Sequence, residues 1–283
     1  MDCLNVLNYG SKVLKSNNIK THRLDAELLL AEVLNKTREE LLTNLNEYLD
    51  LNKLKKFKKL LKRRKRKEPI AYIFSRKEFW RYNFIVNRDV LIPRPETEII
   101  IDEVLKLTRP NSSKYILDVG TGTGCIILSL VKERPKSRGI ALDSSKNAIK
   151  TAVSNAKLHH IQNKIKFINI DVDKFNYNKY DFIVSNPPYI NDINFKRLDE
   201  NVRLFEPKLA LKAGIDGLKI IRKLILKSKK LLKKNGKLIF EIGENQKDIC
   251  TDLLLKNGFY VNKICKDLYS TPRVIVSTKN FNE

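Results

Sequence analysis

Glycine occupies every second position in Gly120-Thr121-Gly122-Thr123-Gly124, with an apolar run directly before it (115–119) and a helix-like run directly after it. Glycines permit a tight turn and let backbone approach a ligand that any side chain would obstruct. The strand–loop–helix unit also begins a repeating pattern. Strand candidates at 115–119, 139–142, 166–170, 181–185 and 236–242 alternate with helix candidates at 125–134, 145–158, 217–233 and 246–257. Two further strands are expected at 259–266 and 273–278. Strands that alternate with helices predict an α/β fold, a doubly wound and mostly parallel sheet, here closed by a hairpin-like pair.

Ligands of such sheets bind at the carboxyl ends of the strands, so the residues that end each strand are the ones to inspect. The G-x-G-x-G spacing is a less natural guest site for a dinucleotide pyrophosphate than G-x-G-x-x-G. About twenty residues on, the second strand ends in Asp143, a carboxylate able to accept two ribose hydroxyls. Asp171 follows the third strand, placed to meet an adenine amino group, with Val172 beside it as an apolar contact. The fourth strand stops at Asn186-Pro187-Pro188-Tyr189. Proline fixes φ and restricts the residue before it, so this is a stiff elbow that presents an amide side chain, carbonyls and a ring. Such an elbow suits a planar –NH₂ group, of a base or of an amide.

Residues 1–75 read as a helical domain, 76–98 as a β-hairpin and connector, and 99–283 as the α/β domain. Within the first, residues 22–34 place Leu24, Leu28 and Val33 at helical spacing. Thr37 and Glu40 form a capping-box pattern, and Asp50 can cap a helix with Leu51, Leu54, Phe57, Leu60 and Leu61 on one stripe. The other face of that helix, over 53–67, is almost all Lys and Arg, a candidate RNA or ribosome contact or simply a solvated face. Pro69 ends the helical run, and alternation over 79–90 predicts a hairpin turning near Asn87-Arg88-Asp89.

Composition closes off several classes. With 42% hydrophobic and 31% charged residues in 283, the chain is expected to fold as a globular protein. No apolar run approaches the ~18 residues a spanning helix needs, and the start lacks a signal-peptide pattern, so we expect a cytoplasmic protein with no membrane partner. Four scattered cysteines and three histidines predict no metal site. The formal charge of +24 would attract nucleic acid or acidic protein, or it reflects a lysine-rich background.

The strand-end residues together resemble the S-adenosylmethionine-dependent methyltransferases of the Rossmann-like class I type. Further blocks sharpen the likeness. Glu68-Pro69-Ile70-Ala71-Tyr72-Ile73, Ile92-Pro93-Arg94-Pro95-Glu96-Thr97-Glu98, Phe205-Glu206-Pro207 and Gly214-Ile215-Asp216-Gly217-Leu218 resemble signatures of the release factor glutamine methyltransferases, the HemK/PrmC family. Lys67 and Ser75 stand where that family often has glycine, and Ala213 replaces the first glycine of a usual pair. The resemblance implies methylation of the glutamine in the Gly-Gly-Gln motif of class I peptide-chain release factors, with S-adenosyl-L-methionine as donor. It also implies a small N-terminal helical domain that helps grip the protein substrate; a monomer is expected.

On that reading Gly120, Thr121, Gly122, Thr123, Gly124, Asp143, Asp171, Val172 and Asn186 bind the cofactor. Asn186, Pro187, Pro188 and Tyr189 bind substrate and carry the chemistry. The Asn186 oxygen and the Pro187 carbonyl would accept the two N–H groups of the substrate amide and orient its lone pair, a form of positioning worth up to ~7–11 kcal/mol in favourable cases. Tyr189 would pack on the flat amide; neither a general base nor a metal is required. The alternatives are a glutamine of a ribosomal protein, an adenine or guanine amino group, and an inactive cofactor-binding scaffold. Glu241, Glu244 and Arg273 lie near strand ends without an assigned role.

Overall fold

The computed structural model describes residues 1–279, which divide into two compact units: 1–75 with 199–205, and 76–198 with 206 onward. The first unit is all helical, with Cys3–Lys15, His22–Leu34, Arg38–Thr43, Leu51–Lys65, Ile70–Phe74 and the later Glu200–Phe205. Its starts are written in the sequence. The Thr37 hydroxyl accepts from Glu40 N–H while the Glu40 side chain accepts from Thr37 N–H, and Asp50 accepts from Lys53 N–H at 2.8 Å.

Its buried faces are less legible. In His22–Leu34 the core side is Ala26, Leu29, Leu30 and Leu34, whereas Leu24 is exposed and Leu28 and Val33 are only half-buried. Asp25 and Glu27 are buried among those leucines, so apolar spacing alone does not select the face. Leu51 likewise leaves the expected stripe and is 75% exposed, while Phe57 and Leu61 are buried. The basic cluster is split. Arg64 is buried against Asp25 at 2.7 Å, Arg63 makes a bidentate pair with Glu68 at 2.8 and 2.9 Å, and Lys55, Lys56, Lys58, Lys59, Lys62 and Lys65 stay exposed.

The second unit opens with the hairpin β1 (Arg76–Phe79) and β2 (Tyr82–Ile85). Its turn is Trp80-Arg81, not 87–89. Phe79 and Phe84 both point inward, 6.1 Å apart, and Trp80 takes φ 58° to reverse the chain between them. Glu98 accepts from Trp80 N–H at 2.6 Å, an anchor that compensates for a turn without glycine or asparagine. Asn87 to Val90 forms a separate turn.

A seven-stranded sheet follows, made of β3 (Tyr115–Val119), β4 (Arg138–Asp143), β5 (Ile165–Asn169), β6 (Tyr180–Ser185), β7 (Leu232–Glu241), β8 (Phe259–Lys266) and β9 (Pro272–Lys279). The order is β5-β4-β3-β6-β7-β9-β8; the first five are parallel and β9 runs antiparallel to both its neighbours. Both faces are covered. Ile116, Phe182, Val184, Ile239 and Val276 pack on one side with helices Glu98–Lys106 and Cys125–Glu133; Leu117, Ile183, Leu238, Phe240 and Ile275 pack on the other with Lys219–Leu231 and Lys247–Lys256. The chain winds outward through β3, β4 and β5, then returns to place β6 on the far side of β3. The strand order therefore reverses between β3 and β6, which is where open α/β sheets form a crevice. Short helices at Asp192–Arg197, Glu200–Phe205 and Lys208–Leu211 were not legible in the sequence, being too brief for periodicity to register.

The three departures from the family's glycines have a backbone meaning. Lys67 and Ser75 both lie in the left-handed region, at φ 67° and 56°, whereas Ala213 does not and is buried. Glycine is thus useful at the first two positions and unnecessary at the third. Exposed Ser75, which ends the helix Ile70–Phe74, makes no side-chain hydrogen bond that would repay the strain. Ser75→Gly should stabilise the protein by about 1 kcal/mol in chemical denaturation.

Candidate active site

Val119 and Ser185 end neighbouring strands, and the Ser185 hydroxyl donates to the Val119 carbonyl at 2.7 Å. The Gly loop after β3 and the Asn-Pro-Pro-Tyr elbow after β6 are therefore adjacent by register. A cleft of about 280 Å³ opens there, lined by residues 119–123 together with Asp143, Asp171, Val172, Asn186 and Pro188.

The loop is folded back on β4. Gly120 and Thr121 N–H groups both donate to the Leu142 carbonyl at 2.9 Å, and Gly122 N–H donates to Asp143 Oδ2 at 2.9 Å. All three of its glycines have positive φ, and a Cβ on Gly120 or Gly122 would meet no protein atom, so the loop is bare on its open side. Buried Asn155 braces the loop from behind: it donates to the Thr123 carbonyl at 2.9 Å and exchanges hydrogen bonds with Ile85. Asp143 Oδ1 accepts from Ser145 N–H at 2.8 Å. Each carboxylate oxygen is thus fixed by one backbone donor and retains a lone pair for a ligand. Burial pushes the Asp143 carboxyl up, and the two backbone donors oppose it. Asp118, wholly buried on β3, is pushed up to about 7 by burial although Thr121 donates to it at 2.7 Å.

Asp171 is half-exposed at the rim, accepts from Asp173 N–H at 3.1 Å and faces Lys223 at 3.6 Å. Val172 is buried beside it.

The elbow is where the structure adds most. Asn186 Nδ2 donates to Thr97 Oγ1 at 2.9 Å, Thr97 donates to Glu241 Oε2 at 2.6 Å, and Tyr189 OH donates to Glu241 Oε1 at 3.1 Å. Tyr189 and Pro187 do not line the cleft; the tyrosine is turned inward, because its hydroxyl finds a buried acceptor at the end of β7. Burial raises the Tyr189 phenol, and the charge of Glu241 raises it further. Glu241 is 1% exposed and burial pushes its carboxyl up to about 7 against the opposing hydrogen bonds from Thr97 and Tyr189. Arg273 pairs with Asp267 at 2.8 Å, and Glu244 is exposed.

Two more of the sequence blocks meet here. Glu206 accepts from Arg94 at 2.5 Å and from Ile92 N–H at 3.1 Å, which joins Phe205-Glu206-Pro207 to the proline-rich connector. Gln246 donates to the carbonyls of Tyr189 and Gly217 at 3.1 and 3.2 Å. Thr97 and Asn155 carried no periodic or spacing signal of their own, and Glu241 was marked only by its place near a strand end. Thr97 could be flagged only as part of its block.

Similarity to known proteins is extensive. Residues 5–74 match the PrmC N-terminal domain and 97–204 the methyltransferase small domain. A bifunctional methyltransferase of Rickettsia felis is 38% identical over 96% of this chain, which spans only 57% of that longer protein. Release factor glutamine methyltransferases of Buchnera aphidicola and Caulobacter vibrioides are 38% and 35% identical, over 99% and 94% of this chain and 100% and 93% of theirs. A methyltransferase structure from Pyrococcus furiosus shares the fold with TM-score 0.52 at 14% identity, covering 70% of this chain and 89% of its own.

Gly217 tests the packing behind the elbow. It has φ 75°, and a Cβ would stand 2.5 Å from the Tyr189 carbonyl oxygen. Gly217→Ala should cost about 2 kcal/mol or more of stability, from left-handed strain plus overpacking against backbone, read as a lower urea midpoint.

Proposed function

Because this chain belongs to the release factor glutamine methyltransferase family, we propose that it transfers a methyl group from S-adenosyl-L-methionine to the side-chain amide nitrogen of a glutamine, the one in the Gly-Gly-Gln motif of class I peptide-chain release factors. The observation that carries the reading is the Asn186 amide. Its nitrogen end is taken up by Thr97, so its oxygen end is the one left for a ligand in the cleft that Asn186 lines.

The cleft suits the donor. Asp143, held by two backbone N–H groups, has lone pairs for the ribose hydroxyls, and Asp171 at the rim has them for the adenine amino group, with Val172 as the apolar contact. The loop is bare at Gly120 and Gly122 and lines the cleft from Gly120 through Thr121 and Gly122 to Thr123, which gives room for a ligand to approach backbone; Gly124 does not line the cleft and packs against Leu128 instead. When bound, S-adenosylmethionine supplies an electrophilic methyl group. The protein's task is then to present a nucleophile whose lone pair is otherwise delocalised into its carbonyl.

Asn186 Oδ1 accepts one N–H of the glutamine amide, and the Pro187 carbonyl, which lies outside the cleft lining, accepts the second where the side chain enters past Asn186; together they fix the nitrogen's orientation. The Pro187-Pro188 pair keeps those acceptors from drifting, since both φ angles are locked. Tyr189, tied to Glu241, closes the elbow from the protein side and excludes water from behind it. Fixed geometry of this kind is the main source of rate, and no group needs to remove a proton before the methyl moves.

Release factor as substrate is favoured over a nucleic-acid amino group because the similarity to release factor enzymes runs through the N-terminal helices as well as the catalytic fold. The exposed lysines of the helix Leu51–Lys65 leave RNA or ribosome contact as a secondary role for that face. Among the described residues, no helix is long and apolar enough to cross a membrane, and no cluster of three metal-ligating side chains occurs.

The assay is direct. Protein, methyl-labelled S-adenosylmethionine and a purified class I release factor should give label that protease removes and nuclease does not; nuclease-sensitive label would overturn the substrate assignment. Two variants should separate the two halves of the site. Asp143→Ala should weaken cofactor binding about 10-fold or more in calorimetry, through loss of buried hydrogen-bond acceptors. Asn186→Ala should keep most of that affinity while turnover falls about 100-fold or more, as expected for lost positioning.

A further inference from the structure

An amide side chain can face a cleft with either end, and only one end of Asn186 accepts the hydrogen bonds that the proposed chemistry requires. The choice is made by proton accounting in the chain of groups behind it. Thr97 is 2% exposed and its hydroxyl carries a single proton. Glu241 Oε2 lies 2.6 Å from that hydroxyl and, when ionised, can only accept. The Thr97 proton is therefore committed to Glu241, and Thr97 Oγ1 can only accept from Asn186. That demands the –NH₂ end of Asn186 at the 2.9 Å contact and sends Oδ1 the other way. The second oxygen of Glu241 is occupied by the Tyr189 hydroxyl at 3.1 Å, so one buried carboxylate orients both ends of the Asn-Pro-Pro-Tyr elbow.

We infer that Glu241, acting through the Thr97 hydroxyl, is a positioning residue that sets which end of the Asn186 amide faces the substrate. The inference deepens the glutamine methyltransferase reading and rests on it for the identity of the group received.

The relay can run backwards. A proton on Glu241 Oε2 donates to Thr97, Thr97 then donates to Asn186, and the amide turns to present –NH₂ to the cleft, where it repels the incoming N–H groups. The surroundings put this reversal within reach of neutral pH. Burial and the charge of Glu96 raise the Glu241 carboxyl; Thr97, Tyr189 and the charge of Arg273 lower it; the balance is about 7. The remaining titratable neighbour, Cys125, is pushed up to about 12 by burial and stays a neutral thiol. Turnover should accordingly rise as pH increases through about 7, as Glu241 loses its proton.

The test compares Thr97→Val, which keeps shape and removes the hydroxyl, with Thr97→Ser, which restores it. Turnover on a release factor and cofactor affinity are measured from pH 6 to 8.5, with thermal unfolding as a check on folding. Thr97→Val should lose about 30-fold or more in kcat with cofactor affinity within about twofold of wild type, and its kcat should no longer step near pH 7. Thr97→Ser should recover about 10-fold of the loss. In parallel, side-chain amide resonances of ¹⁵N-asparagine-labelled, ligand-free protein are followed with pH: the Asn186 signal should shift through about 7 in wild type and stay still in Thr97→Val. A folded Thr97→Val with kcat within about threefold of wild type, a surviving pH step (which would point to Asp118), or an Asn186 resonance indifferent to pH in wild type would each overturn the relay. If wild type methylates no glutamine at all, the functional reading fails instead, and the resonance titration still decides whether the relay exists.

Discussion

The parallel pairing of β3 with β6 is the interaction from which the site follows. Residue for residue, Leu117 lies beside Ile183 and Asp118 beside Val184. A slip of one position would turn every side chain of β6 to the opposite face and expose Phe182 or Ile183 to the wrong core. The two apolar layers therefore hold the register, and the register holds the Gly loop and the Asn-Pro-Pro-Tyr elbow side by side. The energy that brings the two loops together is hydrophobic and spread over two cores; the polar groups at the strand ends then set orientation within that placement.

Those polar groups are costly to bury, and four of them are handled in the same way. Asp143 receives two backbone N–H groups, Glu241 receives two hydroxyls, Glu206 receives Arg94 and a backbone N–H, and Asn155 satisfies both of its ends against Ile85 and Thr123. A buried carboxylate with directed donors resists rotation, which is what a positioning group needs. Asp118 and Glu241 nonetheless keep raised carboxyl values, because the donors they receive do not fully offset desolvation. Such a group changes protonation near neutrality.

How much of this could be read from the chain depended on whether the signal was local. The strands and the Gly loop declare themselves by β-branched runs and glycine spacing, and strand ends such as Asp143 and Asn186 follow from them. The capping box at Thr37 and the N-cap at Asp50 are equally local. Partners that depend on tertiary approach were silent: Thr97 reaches Glu241 across 144 positions, and Asn155 reaches Ile85 across 70. The hairpin turn at Trp80-Arg81 was misplaced for a related reason. Its reversal is held by Glu98, eighteen residues away, and not by turn residues at the reversal itself. Helical spacing located His22–Leu34 but not its buried face, because the acidic side chains of Asp25 and Glu27 are buried with the leucines.

Tyr189 shows how the two kinds of signal combine. From the tetrapeptide alone its ring is expected against the substrate, since an aromatic beside a rigid elbow is a natural lid. In the fold its hydroxyl has a better destination, a buried carboxylate that would otherwise lack a second donor. A phenol with a hydrogen-bond partner on the protein side cannot also swing over the cleft without leaving Glu241 under-satisfied, at a cost of about 1–3 kcal/mol. The aromatic thus acts as a brace behind the amide rather than a cover in front of it. The same carboxylate then restrains the elbow at its two ends, Asn186 through Thr97 and Tyr189 directly. That is why a residue on β7, more than fifty positions from the motif, belongs to the chemistry of the Asn-Pro-Pro-Tyr turn.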